Sequence, residues 1–265
     1  MVNDKLSVSH LPTSNFHLLI ATFHLPYSNS QLPNCYTTIM YVEQNARQST
    51  RLAALIRLWL VLSLAAILLW VISAAANRSL HYWFLLWNLL LAWLPLIFAS
   101  WLLRTVQPRK GWRHWQSKAL LGLWLIFLPN AFYLITDYMH LQDVPRVDAM
   151  LDIVMFTMFV IAGLAVGYTS LFMVHRALKP KLIRPQQITA ITALFVLCGF
   201  ALYLGRQMRW NSWDIITDPF GLIFNVSDVI IHPGAHPQAF TMTLLFASFF
   251  GLLYGVIVRA SKLLR

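Results

Sequence analysis

Residues 127–141 read FLPNAFYLITDYMHL, an apolar run with Pro129 and Asn130 in its middle and Asp137 and His140 near its end. In hydrocarbon each of these polar groups costs free energy unless a partner satisfies it or a function uses it. Asn130, Tyr133, Asp137 and His140 recur at i, i+3, i+7 and i+10, which at about 100° per residue keeps them within roughly one quarter of a helix circumference. They form a polar stripe in which Asp137 and His140 are candidate acid–base groups. Pro129 lacks an N–H and disturbs the carbonyl of Leu125. The expectation is therefore a kink, with a freed backbone acceptor that Asn130 or a neighbouring helix can answer.

A second dense stretch, GRQMRWNSWDIITDP, runs from Gly205 to Pro219. Read as a helix, it places Arg206 and Arg209 one turn apart, followed by Trp210 and Trp213, with Asn211, Asp214 and Asp218 at i, i+3 and i+7. Such a helix is amphipathic and suits the membrane surface, tryptophans at headgroup depth. Alternatively, the two arginines pair with Asp137 or Asp152, or hold an anionic ligand such as phosphate, which a guanidinium fork fits. The candidate ligand-binding set is thus Asn130, Tyr133, Arg206, Arg209, Trp210, Asn211, Trp213 and Asp214. Asp137, His140 and Asp152 are the candidate catalytic or proton-relay groups.

Metal chemistry has weaker support. Asp137-x-x-His140 has a ligand-compatible spacing, and His232 and His236 add imidazoles, but Pro233 and Gly234 make the second pair a turn. Neither a His-Glu-x-x-His motif nor a cysteine cluster is present, and Cys35 and Cys198 lie in unrelated contexts. The ten glycines contain no Gly-x-Gly-x-x-Gly and no P-loop. No metal and no cofactor is assigned.

The elements that position these residues follow from composition. With 58% hydrophobic residues, 11% charged residues and a mean hydropathy of +0.62, the chain cannot coat a soluble surface of its size. The apolar residues fall into six blocks, near 54–76, 80–103, 119–136, 149–174, 188–205 and 238–258. Each suits a helix crossing about 30 Å of hydrocarbon, and none shows the period-two alternation of a barrel strand. The fold expected is all-α, a polytopic transmembrane bundle over residues 51–265. Residues 1–50 form a polar N-terminal segment, read as disordered or as an over-extended start with the native chain beginning at Met40.

A net charge of +11 in a soluble protein points to nucleic acid, but its distribution here points elsewhere. Assigning loops alternately to two sides puts all but Arg78, Arg146, Arg206 and Arg209 of the 20 basic residues on one side. That asymmetry is the positive-inside rule, and it places both termini in the cytoplasm and excludes nucleic acid as a partner. Of the acids, only Asp4 and Glu43 share the basic side, so Asp137, Asp143, Asp148, Asp152, Asp214, Asp218 and Asp228 make the other face chemically distinct. Gly163 with Gly167 and Gly251 with Gly255 form Gly-x-x-x-Gly pairs that allow close helix approach, within the bundle or in a homo-oligomer. The Lys110-to-Trp115 loop reads as a topogenic loop, or as a contact for anionic lipid.

LPNAFYLITDYMHL together with GRQMRWNSWD resembles the paired motifs of a bacterial family of multi-pass membrane proteins of unknown function, over about residues 50 to 258. In that family the first motif usually reads Pro-Asn-Ala-Pro-Tyr, where Phe132 stands here. A Trp-Tyr-Asp near the fourth span is represented by Met150, Leu151 and Asp152. The resemblance implies a helical protein of the cytoplasmic membrane and implies no reaction. Two functions remain open: an enzyme or lipid-binding protein with an external polar recess for an anionic lipid or small molecule, and a non-catalytic transport or assembly subunit whose polar cluster is structural. They differ in one respect, because a ligand site leaves polar groups unpaired and a structural cluster leaves none.

Overall fold

The computed structural model describes residues 35–106, 111–142 and 149–263, so the first 34 residues of the segment preceding the proposed Met40 start, and Lys110, Asp143, Arg146 and Asp148, lie outside the described residues. The described chain is helical throughout: α1 (Cys35–Asn77), α2 (Trp83–Val106), α3 (Trp115–Tyr133), α4 (Ala149–Leu178), α5 (Arg184–Gln207), α6 (Asp214–Thr217), α7 (Pro219–Ile231) and α8 (Pro237–Leu263). A 3-10 helix, Leu134–Gln142, continues α3. Six helices, Thr50–Asn77, Trp83–Val106, Trp115–Leu141, Ala149–Lys181, Arg184–Gln207 and Pro237–Leu263, are long and apolar enough to cross a membrane. Five of them contain an expected block whole, and the second, expected at 80–103, begins at Trp83. The chain is a multi-pass helical membrane protein.

Local chemistry sets the helix ends. α1 stops where Arg78 turns left-handed (φ 48°). At the start of α3, His114 Nδ1 accepts from Gln116 N at 3.3 Å. α7 opens with Pro219 in its first turn, and Asp218 Oδ1 accepts from Gly221 N at 2.9 Å, which answers an otherwise orphaned amide.

Packing runs α1 on α4, α2 on α3 and α4, α3 on α4 and α5, and α5 on α8. One core centres on Phe132, fully buried, whose ring centroid lies 4.6 Å from Phe250 and 5.2 Å from Tyr168. Phe132 thus joins α3 to α4 and α8. A second core gathers Leu85, Met155, Phe156 and Phe159 between α2 and α4. Gly163 and Gly167 bring α4 onto α3: a Cβ on Gly163 would lie 2.8 Å from the Ala131 carbonyl oxygen, and one on Gly167 would lie 2.8 Å from the Ala131 Cβ. The other pair makes no such approach, since Gly251 meets only Phe195 at 3.6 Å and Gly255 faces open space. The close α5–α8 crossing instead uses Gly199, where a Cβ would come 2.5 Å from the Thr243 carbonyl oxygen.

Two parts of the second motif differ from the sequence reading. Residues 208–213 are not helical, because α5 ends at Gln207 and Arg209 takes a left-handed φ of 60°. The turn sends Trp210 N back to the Leu204 carbonyl at 3.2 Å, so Arg206 and Arg209 do not share a helix face. Helix resumes as α6 and then α7, an apolar helix of 13 residues that is too short to span, with Phe220, Ile223 and Phe224 exposed.

Candidate functional site

A cavity of about 300 Å³ lies among the start of α2, the end of α3 with its 3-10 extension, the end of α5 and residues 210–222. All of these are at the end of the bundle opposite Arg104, Lys118, Arg176, Arg184 and Lys262, which sit at the other ends of their helices. Phe84, Leu91, Ile126 and Leu202 supply apolar wall, and Asn88, Asn130, Tyr133, Asp137, His140, Trp210, Asn211 and Ser212 supply polar groups.

Pro129 stays inside α3, and the weakened helix around it is answered twice. Asn130 Nδ2 donates to the Phe127 carbonyl at 3.1 Å and to Ser212 Oγ at 2.8 Å, and Ser212 Oγ donates to the Ile126 carbonyl at 3.2 Å. The proline motif and the second motif are thereby tied together, which fixes the loop carrying Trp210 against α3. After Tyr133 the helix tightens to 3-10, with about 120° per residue. Asp137 and His140, three apart, then stack on one face, and all four residues of the stripe line the cavity.

Asp137 is the best-buried charge in this wall, only 1% exposed. Its Oδ2 accepts from Asn88 Nδ2 at 2.9 Å, and its Oδ1 has no hydrogen-bond partner among the described residues. Trp210 Nε1, also buried, has none either. Arg206 acts electrostatically on Asp137 but forms no ion pair with it. Instead Arg206 Nη1 donates to His140 Nε2 at 2.9 Å, and the His140 ring lies 4.7 Å from Phe84. The imidazole therefore carries its proton on Nδ1, and its Nε2 lone pair is engaged.

The other expected site residues lie elsewhere. Asp152 does not line the cavity: it is buried among α1, α2 and α4, where Oδ1 accepts from Ser73 Oγ at 2.7 Å and Oδ2 from Tyr82 OH at 3.4 Å. A relay from Asp137 through His140 to Asp152 is not assembled, because Asp152 points its carboxylate at other helices. Arg209 is exposed and makes no hydrogen bond among the described residues. Trp213 packs on Trp87 with centroids 6.1 Å apart, and Asp214 holds the turn before α6, accepting from Asn211 N at 2.6 Å and from Thr217 Oγ1 at 3.1 Å. His232 and His236 each bond to Asp228 at 2.9 Å, and no group of metal-ligating side chains forms among the described residues. Sequence reasoning missed Asn88, a lone amide in the apolar run WFLLWNLLLAW, whose cost in hydrocarbon was a readable signal. It also missed Ser212, which had none.

Six membrane-length helices and a side-chain-lined cavity at one end define the class: a polytopic helical membrane protein. More narrowly, the chain belongs to the family described as Protein of unknown function (DUF1361), which matches residues 87–253. That match runs from within α2 through most of α8 and so includes both quoted stretches and all of the cavity lining except Phe84. No curated protein and no solved structure matches the chain.

Proposed function

We propose that this protein binds a small molecule in the cavity between α2, α3 and α5, on the extracytoplasmic side of a bacterial cytoplasmic membrane. The observation that carries this reading is the pairing of two unsatisfied buried groups in one cavity wall, the acceptor Asp137 Oδ1 and the donor Trp210 Nε1. Buried polar groups are otherwise almost always hydrogen-bonded, and orphans in a concave site mark where a ligand bonds. The concentration of basic residues at the opposite ends of the helices supports a cytoplasmic location for that face and for both termini.

The structural alternative describes Asp152 and not Asp137. Asp152 receives hydrogen bonds from α1 and from the turn before α2 and works as a clamp, whereas Asp137 keeps an oxygen without a partner among the described residues. Because His140 Nε2 is held by Arg206, the reading is of binding or conduction and not of acid–base catalysis by that imidazole.

The test is mass spectrometry of small molecules retained by gently purified wild-type protein, Asp137→Asn and Trp210→Phe, at matched folding. A molecule bound by the wild type and lost from both variants supports the reading. Identical co-purification from all three overturns it.

A further inference from the structure

We infer that the cavity's ligand presents a neutral hydroxyl-bearing group, a sugar or polyol head, with an apolar portion directed along the wall. The inference rests on the ligand site proposed above and names its chemistry. An ionised carboxylate oxygen accepts only, and an indole N–H donates only. A hydroxyl both donates and accepts, so neighbouring hydroxyls of one head group can answer both. A phosphate dianion or diester accepts from Trp210 but has no proton to give the Asp137 oxygen; an ammonium donates to Asp137 and leaves Trp210 unanswered. Arg206 acts electrostatically on Asp137 without lining the cavity itself. Arg206 is engaged with His140 and Arg209 is exposed on the turn, so among the described residues no guanidinium lines the cavity to hold an anion.

The remaining polar lining fits the same class. Among the described residues, Tyr133 OH and the Asn211 side chain line the cavity with no hydrogen bond, and Asn88 uses Nδ2 on Asp137 while its Oδ1 makes none. Amides beside a carboxylate recognise neighbouring hydroxyls by alternating donors and acceptors, and an aromatic wall accepts the C–H face of a sugar ring.

The experiment measures binding to the full chain in lipid nanodiscs of four probes sharing an eight-carbon tail: octyl glucoside, monooctanoylglycerol, octyl phosphate and octylammonium. The expected result is saturable binding of a neutral probe, weakened about tenfold by Trp210→Phe, which removes the N–H together with part of the ring, and at least as much by Asp137→Asn. Preference for the glucoside or the glycerol ester distinguishes a sugar from a polyol lipid head. Tighter binding of octyl phosphate or octylammonium than of both neutral probes overturns the neutral class while leaving a ligand site standing. Neutral binding untouched by both variants removes the hydroxyl bridge. Absence of saturation by all four removes the ligand site itself.

Discussion

Asp137 and Asp152 are both almost completely buried, 1% and 2% exposed, yet their surroundings predict opposite responses to the same change. At Asp152 the carboxylate gathers hydroxyl donors from Ser73 at 2.7 Å and Tyr82 at 3.4 Å. A hydrogen bond to a charged group contributes about 1.5–3 kcal/mol, less when long. Asparagine keeps one accepting oxygen and loses the other, so Asp152→Asn is expected to destabilise by about 1–2 kcal/mol. At Asp137 the amide oxygen of an asparagine can still accept from Asn88, while the substitution deletes a buried charge whose second oxygen has no partner. A buried polar oxygen without a partner is itself costly, so Asp137→Asn is expected to leave stability within about 1 kcal/mol of wild type or to raise it. The assay is reversible unfolding in bicelles, with both variants measured beside wild type. A loss in Asp137→Asn equal to that in Asp152→Asn refutes the division into a ligand-facing carboxylate and a clamp.

Gly163→Ala forces a Cβ against the Ala131 carbonyl oxygen and should cost about 1–3 kcal/mol, whereas Gly255→Ala enters open space and should gain up to about 1 kcal/mol in helix propensity; the same unfolding assay separates them. Arg209→Gly relieves a left-handed residue and should stabilise by about 0.5–1 kcal/mol without changing retention of the co-purifying molecule. Ser212→Ala removes the bonds to Asn130 and the Ile126 carbonyl and should raise hydrogen exchange across residues 208–213 by about tenfold. Hydrogen bonds from His236 and then His232 hold the exposed Asp228 carboxyl below its usual value of 3.8. A depressed folded value means that its contribution is present above pH 3.8 and disappears as pH falls through the still lower folded value. Amide exchange in the turn at residues 232–236 should therefore rise only in that acid range in wild type, and Asp228→Asn should show the raised rate already at neutral pH.

The six spans were legible because length and uninterrupted apolarity decide a membrane helix with little help from tertiary contacts. The stripe of Asn130, Tyr133, Asp137 and His140 was legible too, though for a partly different reason: α-helical spacing put the four on one face, and the 3-10 tightening after Tyr133 keeps Asp137 and His140 aligned in its own way. What the sequence hid depends on backbone turns and on partners far along the chain. The left-handed Arg209 breaks a helical spacing that looked regular, and no residue type there announces it. Helix α7 was hidden among loop residues because its 13 residues fall short of a span. Asp152 shared chemistry with Asp137 in the sequence, and only the positions of Ser73 and Tyr82 reveal that it belongs to another cluster.

The most direct measurement of the ligand site reads the indole N–H of Trp210 itself. In nitrogen-15 NMR of nanodisc-embedded protein, the indoles of Trp59, Trp93 and Trp124, already bonded to Thr169, Ser63 and Ser170, serve as internal references. Loading stripped protein with octyl glucoside or with small-molecule extract of the source membrane should shift Trp210 to the bonded range and leave the references in place, and Asp137→Asn should abolish that shift. A Trp210 resonance unmoved by either addition would contradict the account.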